Sequence, residues 1–379
     1  MPQIVPAGKQ MKVLHVYKDF YPVLGGVENH LMLLTRELSR LPDMEVEVLV
    51  TNTAARTVVE QFDRVRVTKA GRLATLASTP ISLALFREIS QRDYDILHLH
   101  FPYPLGEIAS LVRGKARRVV ITYHSDVVRQ KLILRLYHPF LLRVLSRADA
   151  IIAGSPNYLE SSPYLSRFAE KCTVIPYGID VSLFQPSSAP AGVLGIPQKY
   201  QAPFIIFVGK FRYYKGLHYL VRAMKEVGKG SLLLVGEGPE EPALRSLVDS
   251  LGLENRIAFV GHVAERLLPG FYQASQVFVL PSCLRAEAFG IVQLEAMACG
   301  LPVVSTELGT GTSFVNRHGE TGFVVPPSNP PALATAINTL LTDQPQREAM
   351  SMAARARVCS QFTKEDMVKS TLELYRRTL

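Results

Sequence analysis

Cysteine is scarce in this chain. Its four residues, Cys172, Cys283, Cys299 and Cys359, show neither a disulfide-type pairing nor a metal-type spacing. That pattern suits a reducing compartment. No stretch reaches the ~18 uncharged apolar residues that a membrane span requires. The opening MPQIVPAGKQMK has no apolar signal core. A cytoplasmic protein is therefore expected. A complete GxGxxG fingerprint is also missing. Gly25-Gly26 does not have that spacing, and Gly236-Glu237-Gly238-Pro239 carries only its first half, which reads as a turn.

The rest of the composition is that of a folded protein. Hydrophobic residues make up 47% and charged residues 20%, which excludes a disordered chain. At 379 residues the chain exceeds one ordinary core, so two domains are expected. Net charge is +9, and nine basic residues lie between Arg113 and Arg147, opposed only by Asp126. The segment has few aromatics and no nucleic-acid motif, so nucleic acid is not the expected partner.

Strands and helices alternate. Met11–Tyr17 reads as an apolar strand, followed by a loop through Gly25-Gly26-Val27-Glu28 and a helix His30–Leu41. Strands Val46–Thr51, Ile96–His100, Val119–Tyr123, Ala150–Ala153 and Thr173–Ile175 follow, with helices through Ile81–Ser90, Leu105–Arg113 and Lys131–Arg147. Such alternation predicts a parallel sheet covered on both faces. Residues 183–203 are rich in Pro, Ser and Ala and read as a linker. The pattern then restarts with the strand Phe204–Val208. The last helix, Lys364–Leu379, either closes the second domain or crosses back onto the first, with crossing back preferred. The expected domains are 1–185 with 362–379, and 186–361. Two doubly wound α/β domains would meet at the carboxyl ends of their strands, where open α/β sheets bind ligands.

Chemistry concentrates in Pro281–Thr306. Glu287 and Glu295 flank Gly290 and an apolar helix of Ile291, Val292, Leu294, Ala296, Met297 and Ala298. A carboxylate in such a helix needs a hydrogen-bonding partner. Glu287 precedes the helix, beside backbone N–H groups that favour anions. Lys210 and Lys215 flank a glycine-bounded loop after a strand, where two cations suit a diphosphate; a solvated loop is the alternative. Gly25-Gly26 suits either an anion or a tight turn. His124 ends a strand and either points into the ligand crevice or bonds within its own sheet. His98 and His100 share one strand face, but no third ligand lies nearby, so a metal pair is set aside. Asp93-Tyr94-Asp95 precedes its strand, at the amino end of the sheet, and reads as a surface turn. Leu132–Leu145, with Arg129, Lys131, Arg135, Arg143 and Arg147, is either an amphipathic face for anionic lipid or an ordinary core helix.

Taken together, Gly25-Gly26-Val27-Glu28, Gly209-Lys210 to Lys215-Gly216, the Glu287–Glu295 stretch, Val260-Gly261-His262 and His318-Gly319-Glu320-Thr321-Gly322-Phe323 resemble the retaining glycosyltransferases of family 4 (group 1) along nearly the whole chain. The resemblance implies a GT-B fold, two Rossmann-like domains facing each other across a cleft. It implies that Lys210 and Lys215 grip the diphosphate of a nucleotide-sugar donor and that Glu295 accepts from the ribose. Burial of Glu295 would then be offset by donor or water. Glu287 and the backbone of Ala288, Phe289, Gly290 and Ile291 would face the transferred sugar. His124 would hydrogen-bond that sugar, Gly25 and Gly26 would make room for diphosphate and acceptor, and Gly261, His262 and Val263 would border the base. No metal or other cofactor is implied. The resemblance points to a hexosyltransferase of polysaccharide or O-antigen synthesis, with GDP-mannose or a UDP-sugar as donor. The acceptor would be a glycan or a lipid-linked glycan, with peripheral contact at the inner face of the cytoplasmic membrane. A soluble small acceptor, or a non-catalytic nucleotide-sugar binder, is the alternative.

Overall fold

The structure is a computed structural model that describes residues 10–76, 79–126, 131–185 and 195–379, leaving out the side chains of 76 and 131–136. The chain forms two compact units. One holds the residues up to Gly178 together with Lys364–Leu379, and the other holds Ile179–Thr363. The division falls seven residues before the 185/186 boundary read from sequence. Phe184, inside the expected linker, is a buried residue of the second unit. Linker residues 186–194 lie outside the described residues.

In the first unit the elements are β1 (Met11–Val16), α1 (Gly26–Ser39), β2 (Met44–Thr51), β3 (Val58–Phe62), β4 (Val65–Ala70), β5 (Ala74–Leu76), β6 (Thr79–Ile81), α2 (Ala84–Glu88), β7 (Tyr94–Phe101), α3 (Pro104–Arg113), β8 (Ala116–Tyr123), α4 (Lys131–Arg147), β9 (Ala150–Ala153), α5 (Pro156–Ser161) and β10 (Cys172–Val174). Helix α1 forms where Leu31, Leu34 and Leu38 recur at helical spacing and bury one stripe. Each such leucine contributes roughly 1.5–3 kcal/mol on burial.

Eight strands make one sheet in the order β10-β9-β8-β7-β1-β2-β4-β3. All neighbours are parallel except β3, which runs antiparallel to β4. Two sequence expectations fail here. The helix read through Ile81–Ser90 is confined to Ala84–Glu88, and the β3–β4 hairpin was not anticipated. Strand β3 is half exposed at a sheet edge, and its VVEQF lacks the continuous apolar run of a buried parallel strand.

The second unit contains β11 (Phe204–Val208), α6 (Leu217–Ala223), β12 (Ser231–Val235), α7 (Glu241–Ser250), β13 (Ile257–Gly261), α8 (Leu268–Gln273), β14 (Ser275–Leu280), α9 (Val292–Ala298), β15 (Val303–Thr306), α10 (Gly311–Val315), β16 (Gly322–Val325), α11 (Pro330–Thr342) and α12 (Gln344–Gln361). Its six parallel strands run β13-β12-β11-β14-β15-β16. Chain order reverses between β11 and β14, the switch point at which doubly wound sheets bind ligands. The strands FIIFV, SLLLV and SQVFVL are almost wholly buried, as expected for a sheet covered on both faces.

The final helix, α13 (Lys364–Thr378), belongs to the first unit. Tyr375 is fully buried there and hydrogen-bonds His98 Nδ1 at 2.5 Å. Arg118 Nε donates to the Thr378 carbonyl, and Arg376 pairs with Asp43 at 2.7 Å. Among the described residues no helix is long and apolar enough to cross a membrane.

Candidate active site

The second unit gathers its charged residues on the loops that leave β11 and β14. Adjacent parallel strands at a switch point open their following loops side by side, so residues some 70 positions apart meet. Cys283 N donates to the Tyr214 carbonyl at 2.8 Å and ties the two loops together. Gly216 closes the basic loop in a left-handed conformation, φ 64°, against the Pro281 carbonyl. A side chain there would be strained and would overlap that carbonyl.

The loops bring Lys215 and Glu287 together. Lys215 Nζ lies 2.5 Å from Glu287 Oε2, and both residues are only 8% exposed. Ser282 Oγ donates to the same carboxylate oxygen at 2.9 Å. Burial alone would lower the Lys215 pKa. The Glu287 carboxylate, Tyr214 and Glu295 together outweigh it, so the ammonium is held above its ordinary value. The Glu287 anion is therefore neutralised by Lys215, not by the start of α9 as the sequence suggested. Thr310 Oγ1 donates to the Glu287 carbonyl, and Gly311 N to the Ala288 carbonyl, fixing the backbone of this segment. Phe289 and Gly290 are buried, and Ile291 caps α9.

Glu295 lies in α9 and is half buried. Tyr272 Oη, from α8, donates to its Oε2 at 2.8 Å. The carboxylate thus has a protein partner without donor or water, which corrects the sequence expectation. Burial still dominates and raises its pKa to about 7; the Tyr272 hydrogen bond opposes the shift, Glu265 reinforces it, and Lys215 opposes it. Tyr272 is fully buried and was not singled out from sequence.

Lys210 and Arg212 are exposed in the loop after β11. That loop rests on the Gly236–Pro239 turn, where Phe211 N donates to the Glu237 carbonyl at 2.9 Å and Glu240 N to the Phe211 carbonyl. The half fingerprint is a turn, and it serves as a buttress. Gly261 accepts from Gly236 N at 2.8 Å, and His262 N donates to Glu237 Oε1 at 3.2 Å, so Gly261 and His262 border the same turn, with Val263 next in the chain.

In the first unit, Gly25 caps α1. Glu28 folds back so closely that any side chain on Gly25 would overlap its carboxylate, while the space at Gly26 is open. His124 follows β8, with its N–H on the Phe101 carbonyl at 3.0 Å, and is 4% exposed. Both ring nitrogens are engaged, Nε2 with His100 Nδ1 at 2.9 Å and Nδ1 with Tyr177 Oη at 2.7 Å.

The expectation that His98 and His100 stand alone is overturned. Strand β1 pairs with β7 in a register that places His15 against His98. Helix α1 adds His30, and the end of β8 adds His124. The nitrogens of His15, His98 and His100 lie within 4.8 Å of one another, as do those of His30, His100 and His124. Burial keeps all five rings neutral, lowering His15 and His30 to about 3 and the others well below the ordinary value.

Asp95 enters β7 at its amino end, accepts from Lys12 N at 3.0 Å and faces Arg117. The Asp93-Tyr94-Asp95 triplet therefore lies at the opposite end of the sheet from His124. On α4, Arg143 and Arg147 are exposed, and Phe140 is 50% exposed. Arg129 and the side chains of Lys131 and Arg135 lie outside the described residues.

Two doubly wound units, with charged residues at the strand ends of one and a histidine at a strand end of the other, define the GT-B class of glycosyltransferases. Residues 196–357 match the family model for glycosyl transferases group 1, and residues 24–183 match that for glycosyltransferase family 4. The chain is 38% identical to D-rhamnosyltransferase WbpZ of Pseudomonas aeruginosa, over 93% of this chain and 92% of that protein. It is 36% identical to O-antigen chain mannosyltransferase C of Escherichia coli, over 97% of this chain and 99% of that one. Among solved structures it superposes on a sucrose-phosphate synthase from Thermosynechococcus elongatus with TM-score 0.82 and 26% identity, covering 97% of this chain and 99% of that one. The chain belongs to the group 1, family 4 glycosyltransferases.

Proposed function

We propose that this glycosyltransferase moves a hexosyl unit, mannose or a close relative, from a nucleoside diphosphate sugar to a glycan or lipid-linked glycan in O-antigen or polysaccharide synthesis. The buried Lys215–Glu287 pair at the switch point, with Glu295 held by Tyr272 beside it, is the observation that carries the reading. A buried ammonium at the carboxyl end of a parallel sheet suits a diphosphate, which supports this reading. The names of the two relatives, an O-antigen mannosyltransferase and a D-rhamnosyltransferase, support mannose-type chemistry and GDP-mannose as the first donor to test.

In this reading Lys210 and Lys215 hold the diphosphate and stabilise its charge as the glycosidic bond breaks. Glu295 accepts from the ribose through Oε1, its Oε2 being taken by Tyr272. Gly261, His262 and Val263 border the base. Glu287 and the Ala288–Ile291 backbone face the sugar, as does His124, and Gly25-Gly26 leaves room for diphosphate and acceptor. Transfer passes through an oxocarbenium-like state on the same face of the sugar. The acceptor oxygen bonds to the anomeric carbon, the carbon–oxygen bond to phosphate breaks, and a leaving-phosphate oxygen takes the acceptor proton. The lysines supply the positive charge, so no metal is required. The exposed Arg143, Arg147 and Phe140 suit contact with an anionic membrane surface at the cytoplasmic face.

A thermal-shift panel of GDP-, UDP- and ADP-sugars in the presence of a chelator tests the donor. Stabilisation by GDP-mannose above the others is expected, and a preference for a UDP-sugar would overturn that choice. Analysis of the transferred linkage tests the stereochemistry, since an inverted anomeric configuration would contradict same-face transfer.

A further inference from the structure

The two oxygens of the Glu287 carboxylate have different surroundings. Oε2 is held twice, by Lys215 Nζ at 2.5 Å and by Ser282 Oγ at 2.9 Å. Oε1 makes no hydrogen bond among the described residues, and it is not one of the partnerless atoms sealed from solvent. It is therefore within reach of solvent. Glu295 is arranged in the same way, with Oε2 held by the Tyr272 phenol and Oε1 open. In each case the protein occupies one oxygen and leaves the other accessible.

The two donors on Glu287 Oε2 are not equivalent. An ammonium is a point charge with three rotatable N–H groups. Lys215 is also the cation assigned to the diphosphate, so in that reading its hold on Glu287 is shared once a sugar nucleotide is bound. The Ser282 hydroxyl has a single hydrogen. Ser282 is fully buried, out of reach of a ligand, and Glu287 Oε2 is the acceptor of that hydrogen among the described residues.

This hydroxyl is presented from a pinned backbone. Ser282 lies two residues beyond β14. Its carbonyl accepts from Thr306 Oγ1 at the end of β15, and the N–H of the next residue, Cys283, donates to the Tyr214 carbonyl at 2.8 Å. One bond ties the segment to the neighbouring strand, the other to the loop after β11. A donor fixed in this way loses little freedom in orienting its partner.

Resting on the assignment of Glu287 to the transferred sugar, we infer that Ser282 is a positioning residue that holds Oε2, and so aims Oε1 at the sugar, when Lys215 turns to the diphosphate. Ser282 itself does not touch substrate. Its hydrogen bond is made both with and without the sugar nucleotide, so it largely cancels from donor affinity and is felt in the rate.

The experiment combines kcat for GDP release from GDP-mannose, or from the sugar nucleotide that the thermal-shift panel ranks first, with isothermal titration of that compound into the full-length protein. Ser282→Ala is expected to lower kcat tenfold or more, the fold-change of one lost hydrogen bond to a charged group, with donor Kd within about twofold. Ser282→Cys keeps the packing but has only a weak donor, so it should lose the same activity, while Ser282→Thr, which keeps the hydroxyl, should recover most of it. In a Glu287→Ala background Ser282→Ala should change kcat less than twofold. An unchanged kcat in Ser282→Ala, or an equal loss with and without Glu287, would overturn the inference. Full activity in Ser282→Cys would show that the residue serves packing alone, and would overturn it too. An unchanged kcat in Glu287→Ala would instead overturn the role of Glu287, and the positioning with it. If Ser282→Ala fails to fold, the size-matched Ser282→Cys carries the test.

Discussion

Lys215 and Glu287, on loops 72 positions apart in sequence, meet as a buried ion pair with nitrogen and oxygen 2.5 Å apart. The pair joins the two residues assigned to opposite ends of the donor, the diphosphate and the sugar. In the proposed reading, an arriving diphosphate would compete with Glu287 for the same ammonium. Removing one partner of such a buried pair strands the other charge, which typically costs about 3–5 kcal/mol.

Lys215→Ala is therefore expected to lower both stability and activity. Transfer should fall on the order of 10²–10³-fold, the usual loss for one charge-stabilising donor. Adding Glu287→Gln removes the stranded carboxylate, so the double variant should regain melting temperature but not activity. Calorimetry beside a rate assay checks this, and recovery of both together would show that the pair is only structural.

Tyr272 is expected to matter although it lies outside every motif. Its hydroxyl donates to Glu295 Oε2 and leaves the other oxygen to accept. Tyr272→Phe removes the contact that opposes the upward shift of the Glu295 pKa, so it should weaken GDP-mannose binding near pH 7. Isothermal titration reads this directly, and equal affinity in both proteins would remove Tyr272 from the site.

The pH dependence follows from Glu295. Burial raises its pKa to about 7. Below that pH the carboxyl is protonated and is a poorer acceptor for ribose hydroxyls. Donor affinity should therefore rise from pH 6 to pH 8 and flatten above. Stability runs the other way: the folded state binds the extra proton between the ordinary carboxyl pKa and about 7, so this group's contribution falls as pH rises through that window. Glu295→Gln should flatten both profiles, and a binding profile unchanged by that substitution would contradict the assignment.

Chelation provides a further check. If the lysines supply the charge that a metal supplies elsewhere, transfer in excess EDTA should stay within about twofold of the untreated rate. Loss of activity that added Mg²⁺ or Mn²⁺ restores would contradict this.

At the membrane, Arg143→Glu with Arg147→Glu should reduce flotation on vesicles containing anionic lipid while leaving neutral vesicles unaffected. Both arginines are exposed on α4. Each is worth about 1 kcal/mol near an anionic surface. Equal flotation of variant and parent would leave the helix as an ordinary core element.

The strand–helix alternation was legible because parallel strands buried on both faces must be apolar throughout, and FIIFV and SQVFVL are. Glu287 and Glu295 were legible for the converse reason, since a carboxylate beside so apolar a helix needs a partner. The identity of that partner was not. Tyr272 is 23 residues before Glu295, on another helix, and only the packing of α8 against β14 supplies it. The histidine cluster was hidden in the same way. His15, His30, His100 and His124 have no common spacing, and the placement of β1 between β2 and β7 brings them together. Strand β3 escaped because an exposed edge strand does not need a continuous apolar run.

The central claim is a division of labour between two glutamates, with Glu295 on the ribose and Glu287 at the transferred sugar. GDP-mannose titration and initial rates on Glu295→Ala and Glu287→Ala test it most directly. The account predicts donor affinity about tenfold or more weaker in Glu295→Ala. In Glu287→Ala it predicts slowed transfer with donor affinity kept or tightened, because Lys215 is released to the diphosphate. Weakened binding in Glu287→Ala together with unchanged binding and slowed transfer in Glu295→Ala would contradict it.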